Sequence, residues 1–79
     1  MADKTMFGVP QWFVFTFGDG QPHAGQYVRI WGTYTEARQK MVDKYGREWA
    51  FQYTNEQWQD WLHKKPLWLP TETLLEEIK

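Results

Sequence analysis

Aromatic residues dominate this short chain: six Trp, five Phe and four Tyr among 79 residues, with no Cys. A chain of this length buries only about 60–65% of its unfolded surface, so an aliphatic core alone would be marginal. Each large aromatic side chain buries about 150–250 Å², which compensates for the short chain and argues against disorder over most of it. The absence of Cys excludes disulfide scaffolds, thiolate zinc sites and cysteine nucleophiles. We therefore predict one small domain with a ring-rich core.

The charge of the chain is nearly balanced, with nine Lys and Arg residues against ten Asp and Glu. Proteins that wrap nucleic acid electrostatically carry a clear basic excess, so we expect no extended nucleic-acid binding. No apolar run reaches the length of a membrane span, and the first residues lack the pattern of a secretory signal. We expect a cytoplasmic protein with no membrane contact.

Three short segments alternate large apolar side chains with smaller or polar ones, a pattern typical of β-strands. These segments are residues 11–17, 27–31 and 48–53. Residues 1–10 show no periodicity and end at a proline. We therefore predict a flexible lead-in over 1–10 and a single domain over 11–79.

Two capping boxes predict where helices begin, because Thr33 and Thr54 are each followed three residues later by Glu or Gln. Thr35 is a competing cap for the first helix. Gly46 and Pro66 predict the two helix ends. The predicted fold class is α+β, a small three-stranded sheet in β-β-α-β-α-(α) order with helices packed on it.

The last segment holds two further predictions. Residues 67–69 are apolar and stand between two prolines, so we expect an extended strap packed on the domain. Thr71 is expected to cap a short final helix.

A Gly-rich segment, residues 18–26, joins the first two strands and exceeds the two to five residues usual in hairpins. Glycines let backbone N–H groups turn toward an anion. The segment is neither a Walker A loop nor a dinucleotide fingerprint, because a strand follows it rather than a helix. We expect backbone donors for a phosphate at Gly18, Gly20 and Gly25, and polar recognition of ribose or base by Asp19, Gln21 and His23.

Alternation along the strands assigns side chains to two sheet faces. The face expected to pack on the first helix holds Phe13, Phe15, Phe17, Val28, Ile30, Trp49, Phe51 and Tyr53. The other face mixes rings with polar groups: Trp12, Val14, Thr16, Tyr27, Arg29, Trp31, Glu48, Ala50 and Gln52. Three explanations stay open for this second face. The C-terminal helices could cover it through Trp58, Trp61, Trp68 and Leu74, it could be a dimer interface, or it could be a platform on which a nucleotide base stacks.

Catalytic chemistry finds little support in the sequence. The chain has no Ser, no carboxylate pair in an apolar setting, and no two His at a metal-ligand spacing. A pair of His23 and Asp19 could exchange protons, but any loop with both residues would allow this. Arg38, Lys44 and Arg47 could surround an anion beside the loop, although charges on a helix surface are usually solvated. We expect neither enzymatic activity nor a metal or cofactor.

The segments FTFGDGQPHAGQYV (15–28), GTYTEARQKM (32–41) and YGREWAFQY (45–53) resemble short uncharacterised proteins encoded by tailed phages and prophages. The combination of a G-x-G-Q-x-H loop with Y-G-x-x-W-A-F-Q-Y carries the resemblance, over about residues 12–58. The matching positions of this chain are Gly18, Gly20, Gln21, His23, Tyr27, Arg38, Trp49 and Gln52.

The resemblance implies an accessory factor that blunts host defence. We expect an inhibitor of bacterial antiviral defence that sequesters a nucleotide-type signalling ligand in the cytoplasm of the infected host. Trp12, Tyr27 and Trp31 would stack on the ligand, with charge from Arg29 or Arg38. Two alternatives stay open: a stoichiometric inhibitor that binds a host defence protein, as anti-CRISPR proteins do, and a small structural or regulatory phage component. A homo-oligomer is expected.

Overall fold

Helices and strands alternate along the part of the chain that the computed structural model describes, residues 8–79. The elements are β1 (Gln11–Thr16), β2 (Gln26–Gly32), α1 (Tyr34–Tyr45), β3 (Phe51–Thr54), α2 (Asn55–Lys64) and β4 (Thr73–Ile78). The α+β class is confirmed. The division into a lead-in over 1–10 and one domain over 11–79 stays a prediction, because residues 1–7 lie outside the described part.

The sheet has four strands rather than the predicted three, in the order β3-β1-β2-β4. β1 is antiparallel to β2 and β3, whereas β4 runs parallel to β2. The predicted final helix is wrong, since the segment after Thr71 forms β4. So short a segment is a poor helix on its own, whereas the edge of β2 offers it backbone partners. The Thr73 N–H also donates to the Gly25 carbonyl at 3.0 Å.

One face of the sheet packs against α1, as the strand pattern predicts for β1 and β2. This core consists of Phe13, Phe15, Phe17, Val28, Ile30, Ala37 and Met41. Leu75 and Ile78 of β4 extend it with partly buried side chains. Full burial of one such large apolar side chain contributes about 1.5–3 kcal/mol, so this layer is the main source of stability.

Both helices begin at the predicted capping boxes. In α1, the Glu36 N–H donates to Thr33 Oγ1 at 3.2 Å, and the Thr33 N–H donates to Glu36 Oε1 at 2.9 Å. In α2, Gln57 and Thr54 exchange the equivalent bonds at 3.0 and 2.9 Å. Gly46 ends α1 with a φ of 69°, a conformation that glycine adopts without steric cost.

β3 begins three residues later than predicted, and this reverses the side-chain faces assigned to it. Gln52 pairs with Phe15 and lies on the α1 face, whereas Phe51 pairs with Thr16 and is 62% exposed. The cause is a loss of alternation just before the strand. Trp49 and Ala50 follow one another, yet both line the same cleft beside α1. The prediction is therefore right for Trp49 and wrong for Phe51, Tyr53, Ala50 and Gln52.

α2 covers part of the second face, mainly through one side chain. Trp58 is 3% exposed, and its ring centroid lies 5.1 Å from that of Tyr27 and 5.7 Å from that of Tyr53. Two other side chains expected to help cover this face, Trp68 and Leu74, are 80% and 42% exposed. Cover by C-terminal residues is thus correct for α2 and incorrect for these two.

The segment between α2 and β4 is a turn and not a packed strap. The Leu69 N–H donates to the Pro66 carbonyl at 3.1 Å, which places Leu67 and Trp68 at the tip of the turn. Leu67 is fully exposed there, and among residues 67–69 only Leu69 is partly buried.

Candidate ligand-binding site

The structure separates the predicted site residues into three groups. The Gly-rich loop closes one end of the β1–β2 hairpin, and Trp12 pairs with Trp31 near the other end. The pairs Trp12–Trp31 and Thr16–Tyr27 are four residues apart, or about 13 Å along the strands. Arg38 and Gln52 form a third group on the α1 face. The loop and the predicted stacking rings therefore do not make one site, and Tyr27 is occupied by its contact with Trp58.

Hydrogen bonds within the Gly-rich loop occupy several of its predicted ligand groups. The Gly18 N–H donates to Gln21 Oε1 at 2.5 Å, and the Gln21 N–H donates to the Gly18 carbonyl at 3.0 Å. Gly20 and Gly25 have φ angles of 85° and 86°, which suit glycine. Asp19 and Gly20 lie at the exposed tip. The Gly18 N–H and the Gln21 carboxamide oxygen are thus bonded to each other within the loop. The Gly18 N–H is therefore not free to donate to a phosphate, the role that was predicted for it.

His23 is exposed, and one side of its ring lies against the edge of the core. Its ring centroid lies 5.3 Å from that of Phe17 and 5.6 Å from that of Tyr45. The backbone at His23 has a φ of 65°, which costs about 1–2 kcal/mol for a residue with a side chain. The two ring contacts offset this cost. A cleft of about 200 Å³ opens beside it, also lined by Lys44 and Glu48.

Arg38 is held in place on α1 by uncharged groups. Its Nη1 donates to Tyr34 Oη and to Gln52 Oε1, each at 3.2 Å. Its guanidinium carbon lies 4.9 Å from the centroid of the Trp49 ring. Gln52 is fixed in turn, because its Nε2 donates to the Tyr34 carbonyl at 3.0 Å. Three of the residues that carry the phage resemblance (Arg38, Trp49 and Gln52) therefore meet in space.

A cleft of about 210 Å³ lies beside Arg38, with Val42, Arg47, Trp49 and Ala50 as its other walls. The ion pairs of residues 8–79 are Arg29–Glu77, Lys44–Glu76 and Lys64–Asp60. Neither Arg38 nor Arg47 therefore has a carboxylate partner within that range. Arg38 and Arg47, which have no carboxylate partner in that range, lie beside the indole ring of Trp49. This arrangement suits an anion attached to a planar ring, because a guanidinium group can donate two parallel hydrogen bonds to phosphate or carboxylate oxygens.

The Gly-rich loop borders this cleft where β1 ends. A Cβ atom on Gly18 would lie 3.7 Å from the Ala50 Cβ, and the Ala50 N–H donates to the Thr16 carbonyl at 2.7 Å. Of the three residues of the predicted anion site, Arg38 and Arg47 line this cleft and Lys44 does not.

Lys44 instead joins a polar cluster between α1 and β4. Its Nζ donates to Glu76 Oε2 at 2.8 Å, and the Tyr45 hydroxyl donates to Glu76 Oε1. These bonds lower the pKa of Glu76 below its usual range. Burial, with the bond to Glu76, raises the pKa of Tyr45 to about 12. The cluster fixes β4 to α1. Lys44 does not line the cleft beside Arg38.

Trp12 and Trp31 form a third cleft, on the opposite face of the sheet. Their ring centroids lie 5.6 Å apart with an interplanar angle of 71°, and the Arg29 guanidinium lies 4.6 Å from the Trp12 centroid. The cleft measures about 310 Å³, and Lys79 is its third wall. Lys79 was not predicted as a site residue, because only the parallel pairing of β4 with β2 brings it beside Trp31.

No protein-family model, curated protein or solved structure matches this chain. The resemblance to phage proteins therefore stays a prediction. Within residues 8–79, no group of three His, Cys, Asp or Glu side chains could hold a metal ion. In the same range, no helix has the length and apolar character needed to cross a membrane.

Proposed function

We propose that this protein binds a nucleotide-type ligand, an anion that carries a planar ring, in the cleft between α1 and the start of β3. The supporting observation is the pair of guanidinium groups, Arg38 and Arg47, that share this cleft without a carboxylate partner among residues 8–79. An anion that enters the cleft relieves their mutual repulsion. The oxygens of the anion also accept hydrogen bonds from arginine N–H groups that would otherwise bind only water.

Three walls of the cleft and one neighbouring residue have roles in this proposal. Arg47 and the remaining N–H groups of Arg38 bind phosphate oxygens, and Trp49 supplies a flat apolar surface for the ring. Gln52 positions the Arg38 guanidinium through the bond at 3.2 Å. A cleft of about 210 Å³ is smaller than the ~300–1,000 Å³ of most ligand sites. We therefore expect a bound nucleotide to extend over the surface toward the Gly-rich loop.

Binding without turnover is part of the proposal. Among residues 8–79, the cleft walls supply cations, an indole and apolar groups, but no carboxylate or imidazole that could act as a general base. A protein of this kind lowers the free concentration of its ligand in proportion to its own abundance. Together with the resemblance to phage proteins, this favours sequestration of a signalling nucleotide in the infected bacterial cytoplasm as a means of inhibiting antiviral defence.

Titration calorimetry tests the proposal with nucleoside 5′-diphosphates and dinucleotides as ligands. Inorganic phosphate and unphosphorylated nucleosides serve as partial ligands. We expect binding that needs both phosphate and base, and that weakens about tenfold or more in Arg47→Gln and in Trp49→Leu. Lys64→Gln on α2, which also removes one exposed cation, is the matched control and should bind as the wild type does. The ligand should be recovered unchanged by chromatography.

Two outcomes would contradict this proposal. One is the absence of binding by the wild type to every nucleotide in the series. The other is equal loss of affinity in Arg47→Gln and in Lys64→Gln, which would indicate a general charge effect and no specific cleft.

A second candidate function is stoichiometric binding to another protein, and exposed apolar side chains favour it. Trp31, Leu67 and Trp68 are 42%, 102% and 80% exposed. Exposed aromatic side chains of this kind are enriched in protein interfaces. The partner in this proposal is a host defence protein, and the predicted homo-oligomer would use the same kind of surface. Light scattering on the purified protein distinguishes a monomer from an oligomer.

A further inference from the structure

The cleft between Trp12 and Trp31 is suited to a single side chain of a partner. Its volume of about 310 Å³ is at the lower limit for small-molecule sites. The two rings meet edge to face at 71°, so they form two walls of a corner that a third flat or compact apolar group can complete.

Lys79 brings to the cleft a side-chain ammonium group that has no ion-pair partner among residues 8–79. Arg29 also lies beside Trp12, but its charge is neutralised by the ion pair with Glu77. Lys79 has no ion pair among residues 8–79. An occupant with an acidic group next to its apolar group therefore complements the cleft in charge as well as in shape.

β4 ends next to this cleft, because Lys79 directly follows its last residue, Ile78, and lines the cleft. In the strand order β3-β1-β2-β4, β4 has β2 as its only neighbour within the described sheet. Alternate N–H and C=O groups of an edge strand point away from the sheet and can pair with an added strand. The register shift between β2 and β4 lies at Tyr27 and Val28, so the pairs nearest the cleft, Arg29–Glu77 and Ile30–Ile78, are regular.

We propose that the β4 edge and the Trp12–Trp31 cleft together bind an extended segment of a partner protein, which adds as a strand beside β4. The added strand would lie about 9–10 Å from β2, a gap that two aromatic side chains can bridge. Side chains of one strand alternate between faces, so the ring and the acid must be two residues apart to reach this cleft together. The occupant is a strand with an aromatic residue at one position and Asp or Glu two positions later.

This inference defines the partner chemistry of the second candidate function and does not depend on the nucleotide cleft. Arg38 and Arg47 lie on the α1 face, whereas Trp12 and Trp31 lie on the opposite face. Arg47→Gln should therefore leave segment binding unchanged, and Trp31→Ala should leave nucleotide binding unchanged. The two proposals can fail separately.

Fluorescence anisotropy with short labelled peptides tests the inference. The probe is a Thr- and Val-rich peptide with a central Trp and a Glu two positions after it. One control peptide carries the Glu one position after the Trp, and a second replaces the Glu by Lys. A third carries N-methyl groups on alternate backbone amides, in both possible phases, to block strand pairing. We expect the first peptide to bind more tightly than all three.

Substitutions in the protein sharpen the test. Trp31 is exposed, so Trp31→Ala should fold normally and weaken binding of the first peptide about tenfold or more. Lys79→Glu should reverse the charge preference, so that the Lys peptide binds better than the Glu peptide. Circular dichroism of each variant checks the fold.

Three results would overturn the inference. The first is the absence of binding to the first peptide, and the second is equal binding of the two peptides that differ in Glu spacing. The third is a wild-type dimer that becomes a monomer in Trp31→Ala, which would make a second copy of this chain the occupant.

Discussion

The partners of an individual arginine decide what it can bind. Arg38 is held by the Tyr34 hydroxyl and the Gln52 carboxamide, which fix its position without neutralising its charge. Arg29 is equally well placed beside Trp12, but its ion pair with Glu77 cancels its charge. In the sequence, the two arginines are equal candidates. Only the identity of their neighbours separates Arg38, the proposed ligand-binding cation, from Arg29, a structural one.

At the same scale, Gln21 is predicted to stabilise the fold instead of contacting a ligand. Gln21→Ala removes the acceptor of the partly buried Gly18 N–H bond. An unsatisfied donor of this kind should lower the free energy of unfolding by about 1 kcal/mol. Urea unfolding followed by circular dichroism measures this change.

Gln59→Ala is the matched control for this substitution, since Gln59 is exposed on α2 and the described residues show no bond to its side chain. If Gln21→Ala and Gln59→Ala unfold at the same urea concentration, the carboxamide does not support the loop. Its original assignment to ligand recognition would then regain support.

Among the elements, capping and packing compete to determine whether a segment forms a helix or a strand. The boxes at Thr33 and Thr54 satisfy the first N–H groups of both helices, and each helix also buries apolar residues. The Thr71 segment has a possible cap but is short, and β2 offers it an unpaired edge. It therefore forms β4, which Lys44, Tyr45 and Glu76 join to α1.

This cluster predicts a dependence of stability on pH. The pKa of Glu76 is lower in the folded protein than the ordinary value of 4.5, because Lys44 and Tyr45 hydrogen-bond to the carboxylate. The folded state thus favours the ionised form. Its contribution is fully present above the unfolded pKa and is lost as the pH falls through the folded pKa.

Glu76→Gln should therefore destabilise the protein at neutral pH, and the difference from wild type should shrink as the pH falls below about 4.5. Urea unfolding at a series of pH values gives this difference. Asp19→Asn, which removes a carboxylate from the exposed loop tip, is the control for loss of one negative charge. A difference from wild type that stays constant across the series would contradict the role of the carboxylate.

For the whole molecule, the six tryptophans contribute very unequally. Trp58 is 3% exposed and packs between Tyr27 and Tyr53, whereas Trp68 is 80% exposed at the tip of a turn. A small domain has a total stability of about 5–15 kcal/mol. The loss of one buried ring can therefore remove a large part of it.

Trp58→Ala should lower the free energy of unfolding by about 3–5 kcal/mol, and the same change at Trp68 should leave it nearly unchanged. Far-ultraviolet circular dichroism during urea unfolding measures both without relying on tryptophan fluorescence. Equal destabilisation by the two substitutions would mean that Trp68 is packed, contrary to its position in the turn.

Local patterns in the sequence predict the α+β class, the first two strands with their inward rings, and both capped helices, and the structure confirms these features. These features depend on residues close together in the chain: alternation over a few positions, or a cap and its partner three residues later. The sequence also placed Arg38 and Arg47 among the candidates for an anion site.

Contacts between residues far apart in the chain determine three other features: the fourth strand, the reversed face of β3 and the separation of the predicted site into three groups. A strand needs an edge from elsewhere in the chain, and the edge available to Thr73–Ile78 belongs to β2. Two successive residues beside α1, Trp49 and Ala50, shift the alternation that the sequence pattern assumes. Charge compensation depends on which acid lies near which base, so the uncompensated cations emerge only when the chain is folded.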